Sequence, residues 1–260
     1  MSDPWLQGDG YEPYVGRWSR RVAPEFVDWL AIPPGRRWMD VGCGTGALTS
    51  TILERCAPAS VVGVEPSDGF RSWAVEHVLD PRARFVRGDA TNLPPEEVDV
   101  VVAGLVLNFV PDRLAALGAM RTVAPGGVIA AYVWDYAEGM QLMRHFWNAV
   151  VALDPSAHDH DEAVRSPVCK PDRLTELWQE AGLDDVVTRS IDIPTVFRDF
   201  DDYWSPFLAG QGPGPAYAMS LDPDARDRLR DRIREHLPIE PDGSIHLVAR
   251  AWAVRGQVSD

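Results

Sequence analysis

The sequence predicts a single α/β domain built on a mostly parallel, seven-stranded sheet, and three observations predict it. Short apolar, β-branched runs alternate with helical patterns along the chain. No internal repeat or low-complexity segment interrupts that alternation. The 260 residues, 45% of them apolar, suffice for one well-filled domain with a lid, whereas two full domains would be cramped.

In chain order, strands are expected at 37–41, 60–65, 83–87, 98–104 and 127–134, with helices at 46–56, 67–79 and 111–123 between them. A helix at 171–181 leads to two further strands, 185–193 and 244–254. The roughly 50 residues between these two exceed a normal connection and read as an inserted lid. The resulting division is a helical cap at 1–35, a core at 36–134, an insertion at 137–168 and a lid insertion at 194–243. The helix expected at 223–236 interleaves aspartates and arginines around Leu229 and Ile233, the pattern of a solvated, ion-paired face.

Charge narrows the partners. A formal charge of −14 repels phosphate backbones and anionic membranes, so a small molecule is expected as substrate, with neither nucleic acid nor membrane as partner. Lys170 is the only lysine and precedes Pro171 outside any G-x-x-x-x-G-K-[ST] pattern, which excludes a P-loop and disfavours Schiff-base chemistry. The three cysteines, Cys43, Cys56 and Cys169, form no C-x-x-C pair. Residues 1–10 carry neither the basic nor the apolar region of a signal peptide, and the apolar stretch 98–110 is too short to span a membrane. A cytoplasmic protein, monomeric or homodimeric, is expected.

The chemistry concentrates at the ends of the first three strands. Asp40-Val41-Gly42-Cys43-Gly44-Thr45-Gly46-Ala47 closes the first strand directly before a helix, so the backbone turns tightly and meets a ligand without side chains in the way. Alone this cradle also satisfies the dinucleotide fingerprint G-x-G-x-x-G/A. Glu65 ends the second strand, where a carboxylate can accept from both hydroxyls of an adenosine ribose or cap the following helix. Gly88-Asp89-Ala90 closes the third strand; Asp89 either meets an adenine amino group or closes a turn with Asn92 and Pro94. Leu107-Asn108-Phe109-Val110-Pro111-Asp112 follows the fourth strand, and Ala124-Pro125-Gly126-Gly127 precedes the fifth.

This ordered set resembles the class I S-adenosylmethionine-dependent methyltransferases of the small-molecule branch, strongly over residues 37–133 and more loosely beyond. The resemblance implies a Rossmann-like three-layer sandwich whose last strand is antiparallel, with S-adenosyl-L-methionine as cofactor and S-adenosyl-L-homocysteine as product. It implies that Gly42, Cys43 and Gly44 contact the methionine part through backbone, that Asp40 organises the loop and reaches the ammonium, and that the backbone near Leu105 faces the same end. It places Glu65 on the ribose, Asp89 and the Ala90 amide on adenine, and Pro66, Ser67 and Phe70 beside the ring. Tyr14, Arg17 and Trp18 are candidates to cover the cofactor carboxylate.

The expected reaction is in-line transfer of a methyl to an oxygen, nitrogen or carbon of a small aromatic or apolar molecule. Positioning alone supplies roughly 7 to 11 kcal/mol of such a barrier, so a catalytic base is optional. Asp135 and His145 are the candidates. Asp135 with Glu138 also fits a capping box, and His145 beside Phe146 and Trp147 also fits packing. His158-Asp159-His160-Asp161 reads as a solvated loop, and no metal is expected. Asn108, Trp134, Tyr136, Trp147, Tyr203, Trp204 and Phe207 are the expected acceptor contacts, some of the ten tryptophans serving the core instead. Two other functions share parts of the pattern: a protein that binds the sulfonium without transferring its methyl or uses it for other chemistry, and a nicotinamide-dependent oxidoreductase.

Overall fold

The computed structural model describes residues 17–209 and 212–259; Tyr14 lies outside them. Seven strands form one sheet: β1 (Arg37–Val41), β2 (Ser60–Val64), β3 (Ala83–Val86), β4 (Val100–Gly104), β5 (Val128–Trp134), β6 (Leu183–Phe197) and β7 (Ile245–Val258). Their order is β3-β2-β1-β4-β5-β7-β6. β1 pairs in parallel with β2 and β4, β2 with β3, and β4 with β5. β7 runs against β5: the Val258 amide donates to Gly127 at one end and the Asp135 amide to Arg250 at the other. This is the Rossmann-like sandwich with an antiparallel last strand.

The described residues contain ten α-helices: α1 (Arg17–Leu30), α2 (Ala47–Arg55), α3 (Asp68–His77), α4 (Arg113–Val123), α5 (Gln141–Leu153), α6 (Glu162–Arg165), α7 (Pro171–Glu180), α8 (Phe200–Trp204), α9 (Pro213–Ser220) and α10 (Pro223–His236). None of these is long and apolar enough to cross a membrane. The last two strands are longer than their sequence suggests. β6 continues through Pro194 to Phe197, alternating buried and exposed from Ile191 onward, and this period-2 stretch merges with a segment assigned from sequence to the lid.

The chain divides into two compact units. The sheet unit comprises described residues 20–133, 168–191 and 252–259. Its parallel strands are covered on both faces, which is why they read as continuous apolar runs: Trp38, Met39, Val41, Val61, Val62, Val64, Val101 and Val102 are buried. Trp178 of α7 donates from Nε1 to the Ile129 carbonyl (3.2 Å), so even this core indole has its polar atom satisfied.

The helical unit comprises described residues 17–19, 134–167, 192–209 and 212–251, including most of both expected insertions. Aromatic rings build its core. Phe146 and Phe207 stack with centroids 4.4 Å apart, Trp147 meets Phe146 edge-on at 5.2 Å, and Tyr203 meets Phe197 edge-on at 5.3 Å. α10 buries Leu229 and Ile233 and exposes the ion pairs of Arg230 with Asp227 and Asp231. That is the solvated face its sequence predicts.

Candidate cofactor site

The end of β1 turns on backbone that only glycine adopts readily. Gly42, Gly44 and Gly46 have φ of +69°, +54° and +84°. At Gly42 sterics add a second reason, because a Cβ would sit 2.5 Å from a methyl of Val106. At Gly44 a Cβ would meet nothing within 4 Å among the described residues, so conformation alone selects glycine there. On the adjacent strand, Leu105 just past β4 has φ +60°, strained for a branched residue, and its amide donates to the Tyr132 carbonyl (2.8 Å).

Two carboxylates border this loop. Glu65 accepts from the Gly44 amide at Oε2 and from the Ser67 amide at Oε1, both at 2.9 Å, tying the glycine loop to the end of β2. Burial pushes its pKa up, against the opposing pull of those two amides and the Arg71 charge. Asp40 is buried. Its Oδ2 accepts from the Thr49 hydroxyl (2.7 Å), while Oδ1 has no partner among the described residues. Burial raises the Asp40 pKa to about 7, with Thr49 opposing and Glu65 adding to the rise. Cys43 is buried too; burial, then the charges of Asp40 and Glu65, push its thiol up, so it is no thiolate nucleophile.

The remaining sheet-unit residues fall around these groups in chain order. Ser67 caps α3, its hydroxyl accepting from the Phe70 amide (3.4 Å), and Pro66 is exposed beside it. Asp89 closes a turn through one oxygen: Oδ1 accepts from the Thr91 amide and hydroxyl and from the Asn92 amide, which together hold its carboxyl below the usual range. Its Oδ2 makes no hydrogen bond among the described residues. Ala90 is buried behind it. Asn108 is half-buried, its carbonyl bonded to Arg113.

In the helical unit Asp135 and the expected aromatic contacts are already engaged or buried, whereas the His145 ring makes no hydrogen bond among the described residues. Asp135 accepts from the Glu138 amide (3.1 Å) and pairs with Arg250 (3.8 Å), so it closes the turn before α5, whose cap is Met140. His145 is half-buried on α5, and burial followed by the neighbouring His236 lowers its pKa. Trp147 donates its indole N–H to the carboxylate of Glu162, Tyr203 donates to the Leu142 carbonyl (2.8 Å), and Trp204 and Phe207 pack ring on ring at 5.8 Å. Trp134 and Tyr136 are buried. Arg17 pairs with Asp202 (3.2 Å), its guanidinium 4.4 Å from the Trp18 ring. No group of metal-binding side chains occurs among the described residues, and Asp161 of the histidine run instead caps α6 and pairs with Arg144.

Sequence reasoning did not single out Thr49, Val106, Arg71 or Glu162. Thr49 had a signal: it lies in the first turn of the helix that follows the glycine loop, within reach of the strand end. The others reach their partners through contacts that no local spacing encodes.

The segment that carries the glycine loop and the tied glutamate matches known proteins. A family model described as "Methyltransferase domain" matches residues 39–131. A trans-aconitate 2-methyltransferase of Streptomyces avermitilis is 31% identical over 260 residues, covering 93% of this chain and 94% of that protein. The chain belongs to the class I S-adenosylmethionine-dependent methyltransferases. Other relatives match over less of their length: the trans-aconitate 2-methyltransferases of Variovorax paradoxus (31% identical) and Rhodopseudomonas palustris (31%) are spanned over 59% and 56% of their length, by 62% and 56% of this chain. Among solved structures, the YcgJ protein of Bacillus subtilis superposes with a TM-score of 0.60 at 16% identity, covering 92% of this chain and 99% of that one. Phosphoethanolamine N-methyltransferase 2 of Haemonchus contortus, in complex with S-adenosyl-L-methionine, gives 0.58 at 16%, over 96% of this chain and 56% of its own. At such identities the likeness is one of fold.

S-adenosyl-L-methionine is the cofactor of this family, and the loop suits it. Asp40 keeps a buried oxygen unpaired where an ammonium would satisfy it, and nothing among the described residues crowds the Cβ position of Gly44.

Proposed function

We propose that this methyltransferase holds S-adenosyl-L-methionine at the ends of β1, β2 and β3 and transfers its methyl to a carboxylate oxygen of a small molecule. Gly42, Cys43 and Gly44 take the methionine part by backbone, with Leu105 beside it and Asp40 on the ammonium. Glu65 accepts from the ribose hydroxyls through lone pairs that its two amides leave over. Asp89 offers Oδ2 to the adenine amino group, with Ala90, Pro66, Ser67 and Phe70 around the ring.

The observation that carries the acceptor class is the engagement of Asp135 with Arg250 and the Glu138 amide. A phenol or an ammonium must lose a proton before attack, whereas a carboxylate is ionised at working pH and needs only alignment. The full-length match to a trans-aconitate 2-methyltransferase supports the same class. A flat aromatic acceptor loses its expected support, because Trp147, Tyr203 and Phe207 are buried among neighbouring rings, and the indole N–H of Trp147 and the hydroxyl of Tyr203 are bonded within the unit.

The test incubates the protein with S-adenosyl-L-methionine and separate panels of carboxylates (trans-aconitate, citrate), phenols and amines, and follows S-adenosyl-L-homocysteine release and methylated product. Release with carboxylates alone is expected. Turnover of the phenols or amines in preference to them overturns the acceptor class.

A further inference from the structure

We propose that Arg71, in the first turn of α3, is a positioning residue for Glu65: its inward-turned guanidinium is the cation that keeps this carboxylate charged for the ribose hydroxyls. The proposal rests on the reading that Glu65 holds the ribose, and all of its parts lie in the sheet unit.

Ser67 joins the two residues. Its amide donates to Glu65 Oε1 (2.9 Å) and its carbonyl accepts from the Arg71 amide (3.0 Å), so the turn that carries the arginine hangs on the carboxylate it serves. The guanidinium faces two ways. Nη2 reaches outward to Asp68 Oδ1 at 2.7 Å, whereas Nη1 is buried and has no hydrogen-bond partner among the described residues. Arginines that pair along a solvated helix face stand differently in this chain: Arg173 and Arg230 also bond carboxylates three residues away, and their side chains are 62% and 40% exposed, against 23% for Arg71. Asp68 itself is 67% exposed. So solvated a counter-ion is screened, and the inner half of the charge is left to act on the anion that lies inward.

That anion is Glu65. The charged and titratable groups around it are Asp40 at the end of β1, Cys43 in the glycine loop and Arg71 on α3, while Asp68 stands outward under the influence of Arg71 and Arg87. Burial works against the charged form of Glu65; the Ser67 and Gly44 amides and then Arg71 work for it, and Arg71 supplies the one full positive charge among them. A protonated Glu65 would lose the charge-assisted acceptance that holding two hydroxyls requires.

The experiment is calorimetric titration of the full chain with S-adenosyl-L-homocysteine between about pH 5 and about pH 8.5, for wild type, Arg71→Gln, Arg71→Lys, Glu65→Gln and the double variant Glu65→Gln/Arg71→Gln. In wild type, affinity should fall on acidification as Glu65 takes up a proton. Arg71→Gln should move that acid limb up by about one pH unit, so that affinity drops about fivefold to tenfold on the slope and stays within about twofold of wild type at the alkaline end. Arg71→Lys keeps the charge and should hold the limb within about 0.3 of a pH unit of wild type. In the Glu65→Gln background the Arg71→Gln substitution should leave the profile where it is, which separates its action on Glu65 from any on Asp40. Should Arg71→Gln not fold, Arg71→Met removes the same charge and carries the same expectation. An unmoved limb, a loss equal at every pH, or a displacement of the same size in the Glu65→Gln background would overturn the proposal. If Glu65→Gln itself leaves affinity at the wild-type level at every pH, the ribose assignment falls, and the role of Arg71 falls with it.

Discussion

Glu65 and Glu162 are both buried glutamates, one in each compact unit, and they are held in opposite ways. Glu65 accepts from two backbone amides at a strand end, and burial raises its pKa only against their pull. Glu162 sits inside the helical unit, accepts from the Trp147 indole, lies beside the Arg144–Asp161 pair, and is pushed up to about 7 chiefly by burial. Backbone donors are fixed by the fold and leave a carboxylate lone pairs for a ligand. A side-chain donor in an aromatic core marks a carboxyl that serves packing. The sheet-unit carboxylate is thus fixed by backbone, while the helical unit is specified by ring packing.

Breaking the helical side should have the largest effect. Phe207→Ala removes a ring stacked on Phe146 and should cost about 3–5 kcal/mol of stability in chemical denaturation, leaving S-adenosyl-L-homocysteine affinity near wild type. A comparable loss of cofactor affinity would erase the distinction between the units. Next comes proton linkage at Glu162. Its folded pKa lies above the unfolded value, so the folded state binds the extra proton and stability should fall by roughly 3 kcal/mol as pH rises from about 4.5 to about 7, then level off. Asp40, raised to about 7 by its own burial, adds a slope of the same sign, so the diagnostic is the part that Glu162→Gln removes.

Predictions on the sheet side are smaller in energy but fall on the ligand. Gly42→Ala drives a Cβ into Val106 at a positive φ and should weaken S-adenosyl-L-homocysteine about a hundredfold by titration. Glu65→Ala should weaken it at least about tenfold, through lost charge-assisted bonds and a slackened loop. The smallest effect is expected for Asp135→Asn, which keeps the turn's acceptor: kcat should change less than about threefold with a carboxylate acceptor. A thousandfold drop there would return Asp135 to the role of base.

How much of this was legible in sequence follows the same divide. Backbone that demands glycine leaves a fingerprint, so the loop from Asp40 to Gly46 and the tie point at Glu65 stood out before any coordinates. The strained φ at Leu105 left no such mark, because a branched residue occupies a conformation where glycine is usual. Asp89 kept both of its readings: one oxygen closes the turn and the other is unengaged among the described residues. In the helical unit an aromatic that packs and one that meets a ligand are the same residue type, so Trp147 and Tyr203 could not be sorted without their partners. The extension of β6 to Phe197 was obscured by Pro194, which reads locally as a break.

Cys43 stands within the loop proposed to hold the methyl donor, and burial with two flanking carboxylates pushes its thiol pKa up. Oxidants and alkylating agents act on thiolates, so this loop should tolerate an air-exposed preparation, and inactivation by a thiol reagent would signal that the loop had opened.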